Sequence, residues 1–360
     1  MSRVLVINPG STSTKLALYR DEAEVWAEEI GHGKAELAAL GRPMAQEDFR
    51  RRAVAGVLAA KGVTPGDLDA VVGRGGLLHP IPGGTYRVNA AMIEDLRSCR
   101  YGEHASNLGA ILAEDLAAAF GVPAFVVDTV VTDELREVAR VTGHPAIRRR
   151  SIFHALSQRA AARNAAERLG IAYESGKFLV AHMGGGISIG AHDRGRVVDV
   201  VNALDGEGPM SPERSGALPP IPVLDLIESG QTTIERLKRV ILTEGGLTAH
   251  LGVNDLRLAE ARSASGDEAA ARVVSAMAYG VAKAVCSLAP ALMVEDGGLI
   301  DAVVLTGGLA RSPSFSAAVG RLLSFLAPVL VAADAGELAA MAAGAERVLA
   351  GRETARDYRP

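Results

Sequence analysis

Hydrophobic residues along this chain fall into short runs bounded by glycine or polar residues and into longer stretches with helical spacing. The short runs predict strands, and apolar positions recurring every three or four residues predict helices. The predicted strands are Arg3–Ile7, Lys15–Tyr19, Glu24–Glu28, Ala70–Gly73, Ala124–Asp128, Lys177–His182, Ile187–His192, Val197–Val201, Ala302–Thr306 and Val329–Ala332. The predicted helices are Gln46–Ala60, Ala90–Arg97, Ala105–Phe120, Asp133–Val141, Ser151–Leu169, Pro222–Glu228, Ile234–Thr243, Asp255–Arg262, Asp267–Val294, Pro313–Leu326 and Glu337–Ala350. Hairpins mixed with long helices indicate an α/β fold and not a simple alternating barrel.

The order of elements repeats halfway along the chain. Sliding the sequence by 174 positions pairs Leu5, Val6, Gly10 and Ala17 with the identical residues Leu179, Val180, Gly184 and Ala191. Both segments are predicted to run strand, turn, strand, turn, strand, which favours two related domains with a ligand cleft between them. We place the domains at 1–148 and 149–336, with the C-terminal helix of 337–360 completing the first.

Composition excludes several classes of protein. Lys and Arg number 38 against 42 Asp and Glu, giving a net charge of -4, and aromatic residues make up 4%. A nucleic-acid binding surface is therefore not expected. The spacing of Cys99 and Cys286 fits neither a metal site nor a disulfide framework, which indicates reduced thiols. Lys283 lies in the middle of the weakly polar stretch Val273–Val294, so we predict a buried helix there, no membrane span, and a cytoplasmic protein.

Three loops between apolar strands have the composition of phosphate-binding turns. The first, residues 8–15, reads Asn-Pro-Gly-Ser-Thr-Ser-Thr-Lys and combines backbone N–H groups, hydroxyls and one ammonium in a tight bend. An ordinary polar hairpin turn is the alternative, and the Gly-Lys-Ser/Thr ending of a Walker A loop is missing. Residues 182–188 and 306–312 hold runs of glycine, which allow the backbone to approach an anion closely.

Two acidic residues stand at the ends of predicted elements. Asp128 ends an apolar strand at the carboxyl edge, where open α/β sheets bind ligands, although a turn or cap aspartate is the alternative. Glu337 starts the last predicted helix, where an N-terminal capping role is the alternative.

Ten segments, in order over nearly the whole chain, resemble the acetate and butyrate kinase family. They are VLVINPGSTSTKLALY, GRGGLLHPIPGGTY, RYGEHASNLGA, FVVDTVVTDEL, IFHALSQRA, HMGGGISIG, EGPMSPERSGALPP, VNDLR, LTGGLARS and GELAAMAAGAERVL. The resemblance implies the ATPase fold of sugar kinases, heat-shock 70 chaperones and actin: duplicated actin-like (ribonuclease H-like) domains flanking an interdomain cleft. Glycines occupy 184–186 where acetate kinases carry an Asn, and 75–76 where they carry two valines, which points to the butyrate kinase branch.

The resemblance also implies catalytic roles. Arg74 would hold the carboxylate of the acid, and Arg214 would stabilise the equatorial oxygens of the moving phosphoryl group. His104 and His154 would donate hydrogen bonds to that group. A short-chain fatty acid is already ionised at pH 7, so no general base is needed, and we assign Asp128 to positioning or to the water shell of Mg²⁺.

The implied cofactors are ATP/ADP and Mg²⁺. The expected nucleotide-binding residues are Asn8, Ser11, Ser13, Lys15, His182, Gly184, Gly185, Gly186, Asp255, Arg257, Gly307 and Gly308. The expected metal residues are Asn8, Asp128 and Glu337, acting largely through water because Mg²⁺ usually keeps several waters.

The implied reaction converts a short-chain fatty acid, first of all butyrate, and ATP to the acyl phosphate and ADP. Acetate, propionate or branched-chain acid kinase activity is the alternative within this family, and an actin-like or chaperone ATPase is the alternative outside it. The partners expected are the acid and the acyl phosphate, and the resemblance implies a homo-oligomer built from dimers. Because Gly75 and Gly76 carry no side chains, we expect room for a longer acid beside Arg74, although a positive φ at Gly76 would also explain the glycine.

Overall fold

The computed structural model describes residues 2–293, 298–332 and 336–360, and the chain forms two compact units. Unit 1 is Met1–Asp133 with Ala335–Pro360, and unit 2 is Glu134–Asp334. The first division lies upstream of the predicted 148/149 boundary because the intervening segment is bonded to unit 2. There the Val197 N–H donates to Glu134 Oε2 at 2.7 Å, and the Arg136 N–H donates to the Val198 carbonyl at 3.0 Å.

The helices and strands of the described residues follow the predicted order. The strands are β1 (Arg3–Pro9), β2 (Ser13–Arg20), β3 (Ala23–Gly31), β4 (Ala70–Gly73), β5 (Thr85–Arg87), β6 (Ala124–Val127), β7 (Lys177–Met183), β8 (Ile187–Asp193), β9 (Arg196–Val201), β10 (Ala302–Thr306), β11 (Val329–Val331) and β12 (Arg356–Asp357). The helices are α1 (Lys34–Leu40), α2 (Glu47–Ala60), α3 (Ala90–Arg97), α4 (Asn107–Phe120), α5 (Glu137–Arg140), α6 (Ala155–Leu169), α7 (Pro220–Glu228), α8 (Ile234–Leu242), α9 (Gly246–Leu251), α10 (Leu256–Ala264), α11 (Glu268–Ser287), α12 (Pro313–Leu323) and α13 (Glu337–Leu349).

The sheets of the two units share a common arrangement of strands. In unit 1 the strand order is β12-β5-β6-β4-β1-β2-β3, and in unit 2 it is β11-β10-β7-β8-β9. In each, an antiparallel meander (β1 to β3, β7 to β9) begins with a strand that pairs in parallel with a later one, β4 or β10. This repetition confirms the predicted duplicated α/β fold.

The central strand of unit 2 shows why its sequence is almost continuously apolar. Leu179 and Ala181 of β7 belong to the core cluster that includes residues of α11 and α12, whereas Phe178 and Val180 belong to a second cluster with residues of α6. Both faces of the strand are therefore buried, which favours an unbroken hydrophobic run over alternation.

In unit 1, α4 lies directly against the end of β4 with backbone touching backbone. A Cβ atom on Gly73, the last residue of β4, would overlap the carbonyl of Gly109 in α4. A Cβ on Gly109 would lie 2.7 Å from the Arg74 backbone nitrogen, and a Cβ on Gly76 would lie 2.5 Å from the Asn107 Cα. Glycine at these positions is what lets the helix approach the strand so closely.

Several predicted helix limits were wrong. The helix predicted at Asp133–Val141 is reduced to α5, because residues 133–136 are held extended by bonds such as that from the Asp133 N–H to the Ile81 carbonyl. The helix predicted from Ser151 begins at Ala155, since the preceding His154 N–H donates to Ser188 Oγ in β8 instead of joining a helical turn.

The long apolar helix also ends early. α11 stops at Ser287 and is followed by a 3₁₀ turn at Ala289–Leu292, as expected where Pro290 cannot continue an α-helix. The predicted end at Val294 lies outside the described residues. By length and composition Glu268–Leu292 could cross a membrane, but Met277, Val281 and Val285 pack into the core of unit 2. This packing agrees with the predicted buried helix.

Short elements were missed. The strands β5 and β12, with three and two residues, pair with each other at the edge of the unit 1 sheet. The helices α1 and α9 have seven and six residues. None of these is long enough to show a hydrophobic period.

The helix-to-strand contact predicts opposite effects for two glycines of unit 1. Gly109→Ala should lower the free energy of unfolding by at least about 2 kcal/mol, because the new methyl group overlaps the backbone of Arg74. Gly56→Ala, on α2 with open space around its Cα, should raise it by about 0.5–1 kcal/mol. Urea unfolding of both variants measures the difference, and a Gly109→Ala variant as stable as wild type would contradict the close approach.

Candidate functional site

The first predicted phosphate turn of unit 1 connects β1 to β2. Asn8 pairs with Lys15 across the hairpin, and the turn is closed by the Gly10 N–H donating to the Ser13 carbonyl at 2.8 Å. Ser11 and Lys15 are exposed. The ammonium of Lys15 lies 4.0 Å from Glu29 on β3, so a weak surface pair already balances part of its charge.

Arg50, a residue that sequence reasoning missed, anchors this hairpin through hydrogen bonds from the protein interior. Arg50 of α2 is fully buried, and its Nη1 donates to the Ser13 carbonyl and to Thr14 Oγ1, both at 2.9 Å. Its other bonds go to Gln46 Oε1 and to the Ser11 carbonyl. Burial lowers the pKa of Arg50, yet an arginine stays protonated, so a fixed positive charge lies under the turn. The sequence offered one indication of this anchor: Gln46 and Arg50 are four positions apart, the spacing that brings two side chains together on a helix.

Three predicted site residues of unit 1 meet at the start of α13. Glu337 Oε2 accepts a hydrogen bond from Asn8 Nδ2 at 2.9 Å. Arg74 Nη1 lies 2.9 Å from Glu337 Oε1, close enough for an ion pair but out of line for a hydrogen bond. Among the described residues this buried Nη1 has no hydrogen-bond acceptor, which makes it a donor suited to an anionic ligand.

Asp128 directly follows β6, as predicted, and its backbone is strained. Its φ is +40°, which is uncommon for a residue with a side chain. Its Oδ1 accepts from the Gly84 N–H at 2.8 Å, and its own N–H donates to the Gly84 carbonyl at 3.0 Å. These reciprocal bonds fix the carboxylate, which is buried.

Gly75 and Gly76 do not open added room beside Arg74, and that prediction was wrong. A Cβ on Gly76 would meet the backbone and side chain of Asn107 at 2.5 Å, and a Cβ on Gly75 would overlap the methyl group of Thr129. Neither glycine has a positive φ. Both glycines are explained by close packing of the loop on α4 and on residue 129, so the absence of their side chains gives an acyl chain no added room.

His104 has a defined proton position in unit 1. Its Nδ1 accepts from the Ser106 N–H at 3.2 Å and lies 2.8 Å from Ser106 Oγ. Because a backbone N–H can only donate, Nδ1 carries no proton in this arrangement. The neutral ring therefore carries its proton on Nε2.

The donor set of unit 1 suits Mg²⁺. Asn8, Asp128 and Glu337 offer amide and carboxylate oxygens, the hard ligands that this ion prefers. No group of three His, Cys, Asp or Glu side chains among the described residues could hold a metal by itself. An ion held by these residues would therefore take its remaining ligands from water and phosphate.

The glycine turn of unit 2 joins β7 to β8, in the same place as the first hairpin of unit 1. The Gly184 N–H donates to the Gly186 carbonyl at 3.1 Å, and Ser211 Oγ donates to the Gly185 carbonyl at 2.6 Å. His182 on β7 stacks against His154, with ring centroids 4.1 Å apart. The structure thus brings together two histidines that lie far apart in the sequence.

Arg214 lies against the same glycine turn. A Cβ on Gly186 would overlap its Nη1, so only glycine leaves space for the guanidinium. Nη1 donates to the Ala203 carbonyl at 2.6 Å, and Nε donates to the Leu242 carbonyl at 3.3 Å. Burial lowers the pKa of Arg214, but like Arg50 it stays protonated.

A cavity of about 740 Å³ in unit 2 is lined by five of the twelve predicted nucleotide residues. Its lining includes Gly184, Gly185, Asp255, Arg257 and Gly308. Asp255 caps α10 and accepts from the Arg257 N–H at 2.9 Å, and the hydrogen bonds from Arg257 lower the pKa of its carboxyl. Ser312 lines the same cavity and caps α12. A cavity of this size, lined by both glycine backbone and charged side chains, can hold a nucleotide.

Sequence and structure comparisons agree on the kind of protein this chain resembles. Residues 138–355 match the acetokinase family. Proteins called "Probable butyrate kinase" from Maridesulfovibrio salexigens and Oleidesulfovibrio alaskensis are 50% and 51% identical over 99% of this chain and 99% of their own. The crystal structure of Porphyromonas gingivalis acetate kinase superposes with a TM-score of 0.78 over 97% of this chain and 100% of the other, at 22% identity. A propionate kinase from Francisella tularensis gives 0.70 over 96% and 99%, at 20% identity.

The buried guanidinium predicts a large difference between two neighbouring arginines. Arg50→Lys should destabilise the protein by about 1–3 kcal/mol for each buried acceptor it leaves unpaired, since an ammonium cannot span the turn and Gln46 together. Arg51→Lys, on the same helix but partly exposed, should cost less than about 1 kcal/mol. Chemical denaturation measures both, and equal costs would contradict the anchoring role of Arg50.

Proposed function

Because this chain belongs to the acetokinase family, we propose that it transfers the γ-phosphoryl group of ATP to the carboxylate of butyrate, giving butanoyl phosphate and ADP. The observation that carries the proposal is the identity of half of all positions, over 99% of both chains, with proteins called probable butyrate kinases. The direction of the reaction in the cell follows the supply of acid and acyl phosphate. The proposal includes a cytoplasmic enzyme that works as a homo-oligomer built from dimers.

Unit 1 supplies the residues proposed to bind the acid. The buried Nη1 of Arg74 would donate to the carboxylate, which is the charge-assisted contact that arginine makes best. The Arg74 backbone N–H donates to the Ile7 carbonyl at 2.9 Å, and the same Nη1 lies 2.9 Å from Glu337 Oε1, which fixes the direction of the guanidinium. The acid is thus bound by a side chain that is already oriented, which lowers the entropy lost on reaching the reactive geometry.

Unit 2 supplies the residues proposed to bind the nucleotide. Asp255, Arg257 and Gly308 line the 740 Å³ cavity proposed for adenosine, and the turn at 184–186 offers backbone N–H groups to phosphate. The hairpin at 8–15 of unit 1 offers a second set, with the charge of Arg50 beneath it.

The transfer itself requires neutralisation of charge and no removal of a proton from the acid. Arg214 would stabilise the equatorial oxygens of the phosphoryl group, and His104 and His154 would donate hydrogen bonds to it. Asp128 and Glu337, with Asn8, are the residues that would hold Mg²⁺ through its waters. Mg²⁺ supplies neutralisation of the phosphate charge when bound.

The substrate proposal predicts the order of acids in a trapping assay. With ATP, Mg²⁺ and hydroxylamine, butyrate should give the highest kcat/KM for hydroxamate formation among acetate, propionate, butyrate and isobutyrate. Each methylene is expected to contribute about 1–3 kcal/mol of discrimination. A preference for acetate or propionate would contradict the butyrate assignment and identify the enzyme as a kinase of that other acid. ATP hydrolysis that is indifferent to every acid would favour the actin-like ATPase.

The role of Arg214 predicts a loss in kcat with little change in KM. Arg214→Ala should reduce kcat by about 10²–10³, the usual cost of removing one preorganised donor to the transition state. KM for the acid should stay near wild type, since such a residue contributes little to ground-state binding. Arg236→Ala on α8, an exposed arginine, is the control and should leave both constants unchanged. A large rise in KM at normal kcat would contradict this role.

A further inference from the structure

A chain of hydrogen bonds in unit 2 connects His154 to the buried core. His154 Nδ1 lies 2.7 Å from Ser188 Oγ, and Gln158 Nε2 lies 2.9 Å from the same oxygen. Gln158 Oε1 lies 3.3 Å from His192 Nε2, and His192 Nδ1 lies 2.9 Å from the Tyr173 hydroxyl. Ser188, Gln158 and His192 are completely buried.

The direction of these bonds is fixed by an obligate acceptor. Gln158 Nε2 also lies 3.1 Å from the Ser188 carbonyl, which can only accept. The amide nitrogen of Gln158 must therefore face Ser188, and its oxygen must face His192. This orientation makes Gln158 a donor to Ser188 Oγ and an acceptor from His192 Nε2.

His192 fits that orientation as a neutral ring. Burial lowers the pKa of His192 well below its usual value, with further lowering from Arg159 and Arg163. Its single proton then lies on Nε2 and is donated to Gln158, while Nδ1 accepts from the Tyr173 hydroxyl. A Cβ on Gly190 would overlap Gln158 Oε1 and lie 3.0 Å from His192 Nε2, so a glycine in the middle of β8 leaves the space this contact needs.

The hydroxyl of Ser188 has only one way left to point its proton. Its oxygen has two lone pairs, and these accept from Gln158 Nε2 at 2.9 Å and from the His154 backbone N–H at 3.2 Å. The third neighbour, His154 Nδ1 at 2.7 Å, must then receive the hydroxyl proton. A proton on Nδ1 would place three donors around one oxygen.

We propose that Ser188 and Gln158 are positioning residues that hold His154 in the tautomer with its proton on Nε2. The ring then enters the reaction as a hydrogen-bond donor at Nε2 and needs no protonation step. His104 has the same tautomer, fixed by the Ser106 N–H. The proposal rests on the proposed function, because it concerns the donor to the transferring phosphoryl group. Ser188 and Gln158 would then determine which ring nitrogen of His154 donates the hydrogen bond.

The direct test is the protonation state of His154 in the intact wild-type protein. Long-range ¹H–¹⁵N correlation spectra of ¹⁵N-histidine-labelled protein distinguish a protonated ring nitrogen from an unprotonated one, and His154→Gln identifies the signal. We expect Nδ1 of His154 to be unprotonated and hydrogen-bonded, and Nε2 to be protonated. A protonated Nδ1 would overturn the proposal whether or not the enzyme phosphorylates butyrate.

The kinetic test removes the hydrogen bond between Ser188 Oγ and His154 Nδ1. Ser188→Ala should lower kcat by about 10- to 100-fold, the range seen when a partner that orients a functional histidine is removed, with KM for both substrates within about twofold of wild type. The Nδ1 signal of His154 should lose its hydrogen-bond shift. Gln158→Met, which keeps the volume, should act in the same direction.

Ser157→Ala is the matched control, since it removes a buried hydroxyl from the neighbouring position of α6. It should leave kcat and the spectrum of His154 unchanged. Thermal unfolding of all three variants separates a positioning effect from loss of folded protein. Normal kcat in a folded Ser188→Ala variant would refute the positioning role. Absence of acid-dependent turnover in wild type would instead refute the proposed function. The tautomer of His154 would then still be tested by the ¹H–¹⁵N spectra alone.

Discussion

The close backbone contact between α4 and the end of β4 is the constraint on which unit 1, the unit proposed to bind the acid, depends. Gly73 and Gly109 touch because neither has a side chain, and Arg74 begins where β4 ends. The Arg74 N–H is bonded to Ile7 of β1, and the next residue along β1 is Asn8. One close approach therefore holds the strand end, the arginine and the Asn8 amide proposed to face Mg²⁺ next to one another. Any added methyl group at this corner would displace all three.

Three arginines of the two units are held in different ways, and the difference suits the different tasks proposed for them. Arg50 and Arg214 are bonded mainly to neutral carbonyl and amide oxygens, so their charge is not cancelled and remains available to an anion. Arg74 is paired with Glu337, which reduces its net charge while fixing its direction. Phosphate oxygens that gain charge during transfer need an arginine whose charge is not cancelled, as at Arg50 and Arg214. A singly charged acid that must be bound and released suits an arginine already paired with a carboxylate, as at Arg74.

The sequence predicted most of this fold because its central strands are buried on both faces and their hydrophobic runs are unbroken, as in β4 and β10. It also predicted Asp128 at a strand end, since position at the carboxyl edge follows from topology. Arg50 was missed because its role depends on a hairpin far away in the chain. The prediction that Gly76 opens added space for an acyl chain was wrong for a related reason. A glycine in a sequence can mark either an empty space or a position where a neighbouring backbone packs closely. Only the structure, which places Asn107 against Gly76, distinguishes the two.

Unit 1 is made from two separate stretches of chain, and this discontinuity sets the order of events during synthesis. The β-strands from residue 3 to 127 leave the ribosome first, then the whole of unit 2, and only then α13 with Glu337 and the edge strand β12. Unit 2 can fold as a continuous domain while translation continues, whereas unit 1 must wait with α13 missing from β1 and β4. The Arg74–Glu337 pair is thus among the last contacts of unit 1 to form, and a nascent chain cannot complete the unit proposed to bind the acid before nearly all of its translation is finished.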